Sequence, residues 1–174
     1  MLISDPIVAS AEIVDAAKTF LRLDGDEDDA VIAALSAAAI AECESFLGEP
    51  MLVRGFVETM AIDGQWRSLS MANVIAMTSV TALDGTALSP GAYQTDIDAD
   101  GNGLIRATLS SRLRVRIIYR AGFASRWDGI PEPVRLGIVR LVAFHHGARD
   151  RLDDALTPDS VRAMWQRRRR MHLQ

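Results

Sequence analysis

The sequence predicts an α+β fold, in which an N-terminal antiparallel helix pair and C-terminal helices pack around a small antiparallel β-sheet. Apolar side chains recur at helical spacing over residues 10–48 and again over residues 131–170. Between them, over residues 51–120, the apolar period changes to two and Asp-Gly turn pairs recur, as is typical of short antiparallel strands. The length of 174 residues fits one compact domain, so residues 1–174 are expected to fold together.

The N-terminal helix pair is predicted from its start and stop signals. Ser10 is placed to cap the first helix, which is expected to end near Asp24-Gly25. The second helix is expected to begin around Asp26, because this carboxylate can accept the free backbone amides of a first turn. Gly48 is expected to end that helix, and the turn between the two helices is therefore strongly acidic.

The clearest strand covers residues 112–120, where apolar and mostly basic side chains alternate with the period of a half-buried strand. One face of this strand is expected to be core and the other strongly basic. Over residues 51–120 we expect one antiparallel sheet of roughly four to six short strands. Beyond the sheet, Pro131 or Pro133 fits the first turn of a buried helix, and Thr157-Pro158 marks the start of a last helix.

Charge is distributed unevenly along the chain, whose net charge is −4. Residues 1–100 hold 17 acids and 4 bases, whereas residues 101–174 hold 6 acids and 15 bases, so the halves carry −13 and +9. Such asymmetry is typical either of two surfaces that pair in an oligomer or of a basic patch that binds nucleic acid. The arginines are not interleaved with aromatic residues that could stack on bases, which favours the first interpretation.

The chain carries no motif for catalysis, since it has neither a nucleophile elbow nor a phosphate-binding glycine loop. His145 and His146 are adjacent, so on a helix their side chains point about 100° apart and cannot share one metal ion. One of them is expected to be buried and the other exposed. A hydrolytic site would need both to converge with Asp150. We therefore expect no enzyme activity, no metal and no cofactor.

Residues 96–101 match the first half of a calcium-binding loop, which places oxygen ligands at alternate positions before a glycine. The match fails at its twelfth position, where Ala107 stands in place of a bidentate glutamate. A structural hairpin turn is predicted here, with weak cation binding as the alternative. Cys43, the single cysteine, is expected to be a buried small hydrophobe. No targeting segment and no uncharged apolar stretch of about 18 residues is present, so no membrane partner is expected.

Two long segments resemble the head-tail connector family, which comprises adaptor and head completion proteins of tailed phages and gene transfer agents. The first is FLRLDGDEDDAVIAALSAAAIAECESFLGEPML, in which a helix end, an acidic turn and a second helix lead into a glycine and a strand. The second is RVRIIYRAGFASRWDGIPEPVRLGIVRLVAFHH, in which a strand, a loop and Ile-Pro-Glu-Pro precede an apolar helix. With MTSVTALDGTALSPGAYQTD between them, the resemblance covers most of residues 16–150.

The resemblance implies a structural, non-enzymatic subunit that forms a ring of about twelve copies beneath the portal, at the head-tail junction of the virion. The ring would link the DNA-filled head to the tail and extend the DNA channel, and DNA would pass through it without sequence-specific binding. The implied partners are the portal protein and a downstream head-tail or tail-completion protein, assembled in the cytoplasm of the bacterial host. The alternative is a small DNA-binding or regulatory protein that uses the basic C-terminal half.

Opposite charges on the two halves suit the heterologous interface that a ring needs. We expect acidic residues of one subunit to approach arginines of the next and to steer assembly more than they stabilise it. The inter-subunit candidates are Asp26, Asp28, Asp29, Arg112, Arg114 and Arg116. In connectors of this family the C-terminal segment engages the portal, and the docking candidates here are Trp165, Arg167, Arg168, Arg169 and Arg170. Deleting residues 162–174 is expected to abolish portal binding without unfolding the domain.

Overall fold

The computed structural model describes residues 1–108, 112–148 and 157–169. The chain divides into two compact units, and each unit is assembled from two separate stretches of sequence. The sheet unit comprises residues 1–5 and 52–125, and the helical unit comprises residues 6–51 and 126–174. The predicted α+β class is confirmed, whereas the single-domain organisation stays a prediction.

The sheet unit contains seven strands within the described residues, arranged in two antiparallel sheets. The strands are β1 (Leu2–Ser4), β2 (Arg54–Ile62), β3 (Arg67–Ser68), β4 (Val74–Ala82), β5 (Tyr93–Ile97), β6 (Gly103–Ala107) and β7 (Leu113–Ala121). The first sheet has the order β1-β2-β7-β4, and the second has the order β3-β6-β5. The strand that the sequence predicts most clearly, β7, is thus an inner strand of the larger sheet.

The core of the sheet unit lies on one face of the first sheet, as the alternation in β7 predicts. Val115, Ile117 and Tyr119 are buried, whereas the residues between them are exposed. Tyr119 stacks on Phe56 of the neighbouring β2, with ring centroids 5.5 Å apart. Ile105 of β6 belongs to the same buried cluster. Burial of each large side chain of this kind stabilises the fold by about 1.5–3 kcal/mol.

Two features of the sheet unit differ from the sequence prediction. Residues 2–4 form a strand, with Ile3 opposite Val57, although no element was expected before Ser10. A three-residue strand is too short to show a periodic pattern. The strands of residues 51–120 form two sheets where one was expected, since β3, β5 and β6 pair with one another and not with β2, β4 or β7.

The helical unit contains four α-helices within the described residues. They are α1 (Ala11–Leu21), α2 (Asp29–Leu47), α3 (Glu132–Gly147) and α4 (Asp159–Gln166). The central helix, α2, contacts each of the other three. Cys43 is fully buried in it, as predicted, and burial raises the pKa of its thiol far above the ordinary value.

The ends of the first two helices lie elsewhere than the sequence predicts. α1 ends at Leu21, and Arg22 takes a left-handed conformation with φ of 56°. The predicted cap at Asp26 is wrong, because the backbone carbonyl of Asp26 accepts a hydrogen bond of 3.2 Å from the N–H of Asp29. A turn over these residues therefore precedes the helix, and Asp28 occupies the N-cap position of α2.

α2 is also the one helix of the described residues that is long and apolar enough, by length and composition, to cross a membrane. The core helix of a compact unit meets the same criterion when it is rich in alanine. Ile32, Ala39 and Ile40 are fully buried, and Glu42 and Glu44 interrupt the apolar sequence near its end. We interpret α2 as the core helix of the helical unit.

Candidate docking surfaces

The outer face of the first sheet carries a row of arginines. We name it the basic face, and define it by Arg114, Arg116, Ile118 and Arg120 of β7 with the residues of β1 and β2 beside them. Alternation along β7 places these four side chains on the side opposite the core, and all four are exposed. Arginines 114 and 120 are six positions apart, which corresponds to about 20 Å along a strand.

Arg114 and Arg116 have no carboxylate beside them on this face. Arg116 lies between Thr59 of β2 and Thr81 of β4, and Arg114 lies opposite Ala61. Among the residues that the structure describes, no acidic side chain lies within ion-pair distance of either guanidinium group. Both groups are therefore available to an anionic group from outside the chain.

Arg112, the third predicted arginine, precedes β7 and is exposed. The pKa of Asp63 is lowered, first by the hydrogen bond that Arg67 donates to it and to a smaller degree by the positive charge of Arg112. The Arg67 Nη2 to Asp63 Oδ2 distance is 2.7 Å. Because Arg112 already has an acidic neighbour in its own chain, it is a weaker candidate for a contact between subunits than Arg114 or Arg116.

The predicted acidic cluster lies between α1 and α2. We name residues 24–29 the acidic turn. Asp29 is engaged within its own unit, since its Oδ1 accepts a hydrogen bond of 2.5 Å from Nζ of Lys18, which raises the pKa of that lysine. Asp28 is half-buried and interacts within the chain. Asp26 is exposed, as is Asp24. Of the three predicted acids, Asp26 is thus the one best placed to reach another molecule.

Every copy of the chain carries both surfaces, the basic face on its sheet unit and the acidic turn on its helical unit. Two different surfaces on one chain are what a heterologous interface requires. Contact between the acidic turn of one copy and the basic face of the next stays a prediction.

Trp165, the predicted docking aromatic, is fully buried in the helical unit. Its indole Nε1 donates a hydrogen bond of 3.3 Å to the carbonyl oxygen of Val134 in α3. Its ring also packs at a tilted angle on Phe46 of α2, with centroids 5.9 Å apart. Trp165 therefore fixes α4 to α2 and α3, and in this conformation its side chain has no surface to offer a partner.

The arginines that follow α4 divide into two groups. Nε of Arg168 donates a hydrogen bond of 2.8 Å to Oε1 of Glu49, whose side chain is only 1% exposed. The guanidinium of Arg169 lies 5.4 Å from the ring centroid of Phe46. Arg167 is exposed, and Arg170 lies outside the described residues. Arg168 therefore acts within its own unit, and Arg167 is the described arginine with the most freedom to contact a partner.

The buried contacts of Trp165 and Arg168 change what we expect of a chain that lacks residues 162–174. Deletion of residues 162–174 removes the buried side chain of Trp165 and leaves the carboxylate of Glu49 without Arg168. We now expect such a deletion to destabilise the helical unit, so a loss of binding would not by itself identify a docking residue. Substitution of exposed residues is the appropriate experiment.

The sequence contains two candidate metal sites, namely residues 96–101 and the pair His145-His146. In the β5–β6 hairpin, Oδ1 of Asp98 accepts hydrogen bonds from the backbone N–H groups of Asp100 and Asn102, at 3.0 and 2.8 Å. This is the predicted structural turn. His145 and His146 are both half-buried, so the expectation of one buried and one exposed histidine is wrong. Among the described residues no group of three potential ligands could hold a metal ion, and Asp150 lies outside them.

Three carboxylates of the described residues, Glu44, Glu49 and Glu58, are buried although the sequence did not predict it, and the last two bear on the candidate docking surfaces. Glu58 of β2 accepts hydrogen bonds from Ser70 N–H at 3.0 Å, Ser70 Oγ at 2.6 Å and Tyr119 Oη at 3.0 Å. Glu49 is the buried partner of Arg168. A signal existed for Glu58, since alternation along β2 assigns it to the same side as the buried Phe56. Both carboxylates fix the structure around the docking surfaces.

No protein-family model and no curated protein matches the sequence. Solved structures share the fold over 100% of this chain and 97% of each of theirs. One similar chain belongs to the neck of an empty gene transfer agent (GTA) particle, computed with C6 symmetry, at a TM-score of 0.74 and 22% identity. Others belong to the virion of a native GTA particle (0.73, 22%) and to the neck of a native GTA particle computed with C12 symmetry (0.70, 23%). The likeness establishes the fold and agrees with the resemblance seen in the sequence.

Proposed function

We propose that this chain is a structural subunit of the head-tail junction of a tailed phage or gene transfer agent, where it forms a ring beneath the portal. The observation that carries the proposal is a fold held in common, over nearly the full length of both chains, with chains from GTA necks. The sequence segments that resemble head-tail connectors support it independently. The ring extends the DNA channel and connects the filled head to the tail, without catalysis.

The two charged surfaces supply what a ring of this kind needs. In a heterologous interface, one surface of each copy meets a different surface of the next, and a closing rotation produces a ring. The exposed Asp26 of the acidic turn faces Arg114 and Arg116 of the neighbouring subunit. Exposed charge pairs of this kind steer assembly and fix its register, while each adds no more than about 1 kcal/mol of stability.

The portal contact is made by the exposed arginines at the C-terminal end of α4, with Arg167 as the principal residue and Arg169 beside it. Arg170, the remaining predicted arginine, lies outside the described residues. Trp165 and Arg168 contribute indirectly, because their buried contacts hold α4 in place. The downstream head-tail or tail-completion protein binds the opposite end of the ring.

The proposal is tested by co-expression of the chain with the portal protein of the same particle, followed by electron microscopy and native mass spectrometry of the purified product. We expect a stacked assembly in which a ring of this chain lies against the portal ring. Arg167→Glu is expected to weaken portal binding and to leave the fold intact, whereas Arg140→Glu, an exposed arginine on α3, serves as the matched control. A monomer that ignores the portal would refute the proposal.

The alternative to the head-tail role is DNA binding, and the observation that favours it is the exposed row of arginines on β7. The two proposals separate in a DNA-retention assay at increasing salt. Direct phosphate contacts give a steep linear fall of log affinity with log salt, by about 0.9 per phosphate neutralised on duplex DNA. We expect weak retention that Arg114→Glu barely changes, because in the proposed ring this face contacts the next subunit.

A further inference from the structure

We propose that a groove on the basic face receives Phe20 of a second copy of the chain, so that an apolar contact joins adjacent subunits beside the charge pairs. This inference rests on the proposed ring and names the residues that close it. The groove is lined by Met1 and Ile3 from the N-terminal strand, Val57 and Thr59 of β2, and Arg116 and Ile118 of β7. Its volume is about 340 Å³.

The floor of the groove is apolar, although it lies on the outer face of the first sheet, where polar side chains are the norm. An antiparallel sheet with one buried face usually presents polar residues on the other. Here Ile3 is 52% exposed and Ile118 is 39% exposed, and the two flank Val57 on adjacent strands. An exposed apolar groove with a polar rim is one feature of the sites where another protein binds.

The rim of the groove indicates the charge of the occupant. Arg116 lines it, and Arg114 follows two positions away on the same face. No carboxylate of the described residues lies within ion-pair distance of either. The occupant should therefore present an apolar side chain close to acidic groups.

The chain itself contains a segment with this chemistry. Phe20 lies in the last turn of α1 and is 47% exposed, which is unusual for a large aromatic side chain. The exposed acids Asp24, Asp26 and Glu27 lie four to seven positions after Phe20, and they outnumber the one exposed base in between, Arg22. An aromatic side chain followed by three exposed acids complements an apolar groove flanked by two arginines. The pairing joins different surfaces of two copies, as a ring requires.

Cysteine cross-linking tests the contact directly. A chain carrying both Phe20→Cys and Ile118→Cys is oxidised with copper phenanthroline at a concentration where the oligomer is present, and is then run on a denaturing gel. We expect a ladder of covalent oligomers, because each copy supplies one cysteine to each of its two neighbours. Each single variant should give no ladder, and the native Cys43 is fully buried in every chain.

The matched control is Phe20→Cys with Ile97→Cys, since Ile97 is 37% exposed and lies on β5 of the other sheet. An equally strong ladder from this control would overturn the inference. As a second measurement, Ile118→Asp should raise the dissociation constant of the oligomer at least about tenfold, whereas Ile97→Asp should change it less than about twofold. Melting temperatures of both variants show whether each still folds.

The outcomes separate this inference from the proposed function. Rings seen by electron microscopy without the specific cross-link would refute the Phe20 contact and leave the head-tail role standing. A chain that stays monomeric, alone and with the portal protein, would refute both. Both proposals would be supported by rings that cross-link between positions 20 and 118 but not between positions 20 and 97. Ile118→Asp should also disrupt these rings.

Discussion

Gly137 lies directly beneath the indole ring of Trp165, and a Cβ atom at position 137 would stand 2.2 Å from the indole Nε1. The same nitrogen donates its hydrogen bond to Val134, one turn earlier on α3. Glycine is therefore required here for the close approach of a large ring. The position of α4, and with it the exposed Arg167, depends on this contact between two helices.

Gly137→Ala is expected to destabilise the protein and to loosen α4. Overpacking of a filled core site costs about 1–3 kcal/mol, and the better helix propensity of alanine returns up to about 1 kcal/mol of this. Urea unfolding followed by circular dichroism measures the change. Gly147→Ala is the matched control on the same helix, because a Cβ there meets nothing within 4 Å. If the two variants were equally stable, packing of the Trp165 indole would not depend on the missing side chain at position 137.

The ion pair between Arg168 and Glu49 gives a second stability prediction. Arg168→Met removes the arginine from a carboxylate that is 1% exposed, and breaking a buried pair in this way costs about 3 kcal/mol. Arg167→Met, at the neighbouring exposed position, should change the free energy of unfolding by less than about 0.5 kcal/mol.

The double variant Glu49→Gln with Arg168→Met should be more stable than Arg168→Met alone, because the buried negative charge that lost its arginine has been removed as well. Denaturant unfolding of the wild-type chain, Glu49→Gln, Arg168→Met and the double variant completes a double-mutant cycle. If the double variant were the least stable of the set, burial of the Glu49 charge would not be the cause of the loss.

The main elements of the fold could be predicted because each carries a strong local signal. β7 alternates between apolar and basic residues except at Ile118, and α2 is long and rich in alanine. β1 could not be predicted, since its three residues are held by pairing with β2 and not by a pattern of their own. The start of α2 was misplaced because Asp26, Asp28 and Asp29 all satisfy the capping rule, and the turn geometry decides between them.

The docking surfaces were predicted in part. Arg114 and Arg116 follow from alternation alone, and the structure leaves both exposed. The burial of Trp165 could not be predicted, because it depends on a glycine in another helix that makes room for its ring. The groove lined by Ile3, Val57 and Ile118 was missed for a similar reason, since β1 completes it.

Tyr119 gives a pH-dependent prediction. Its pKa is raised above the ordinary value of 10.0, first by burial and then by the negative charge of Glu58. The folded chain thus holds the phenolic proton more tightly than the unfolded chain does. The contribution of Tyr119 to stability is fully present below pH 10 and declines as the pH rises above it.

Comparison with Tyr119→Phe isolates this effect. At pH 7 the variant should lose about 1.5–3 kcal/mol, the range for a hydrogen bond to a charged group. The difference between the wild-type chain and the variant should shrink between pH 10 and 11. Tyr93→Phe, at a half-buried position on β5, is the control for removal of a tyrosine hydroxyl at pH 7. If the difference in free energy of unfolding between the wild-type chain and Tyr119→Phe stayed constant over this range, folding would not raise the pKa of Tyr119.

Reversal of charge on the basic face should slow ring assembly and change its dependence on salt. In the proposed ring, Arg114→Glu with Arg116→Glu places two acids opposite the acidic turn of the next copy, and lost electrostatic steering reduces association rates by about tenfold or more at low salt. Stopped-flow light scattering at several salt concentrations measures the rate, with Arg140→Glu as the control on α3. Asp26→Arg added to the double variant should restore part of the rate, because it returns opposite charges to the interface. Assembly that is unchanged in rate and in salt dependence would exclude this face from the interface between subunits.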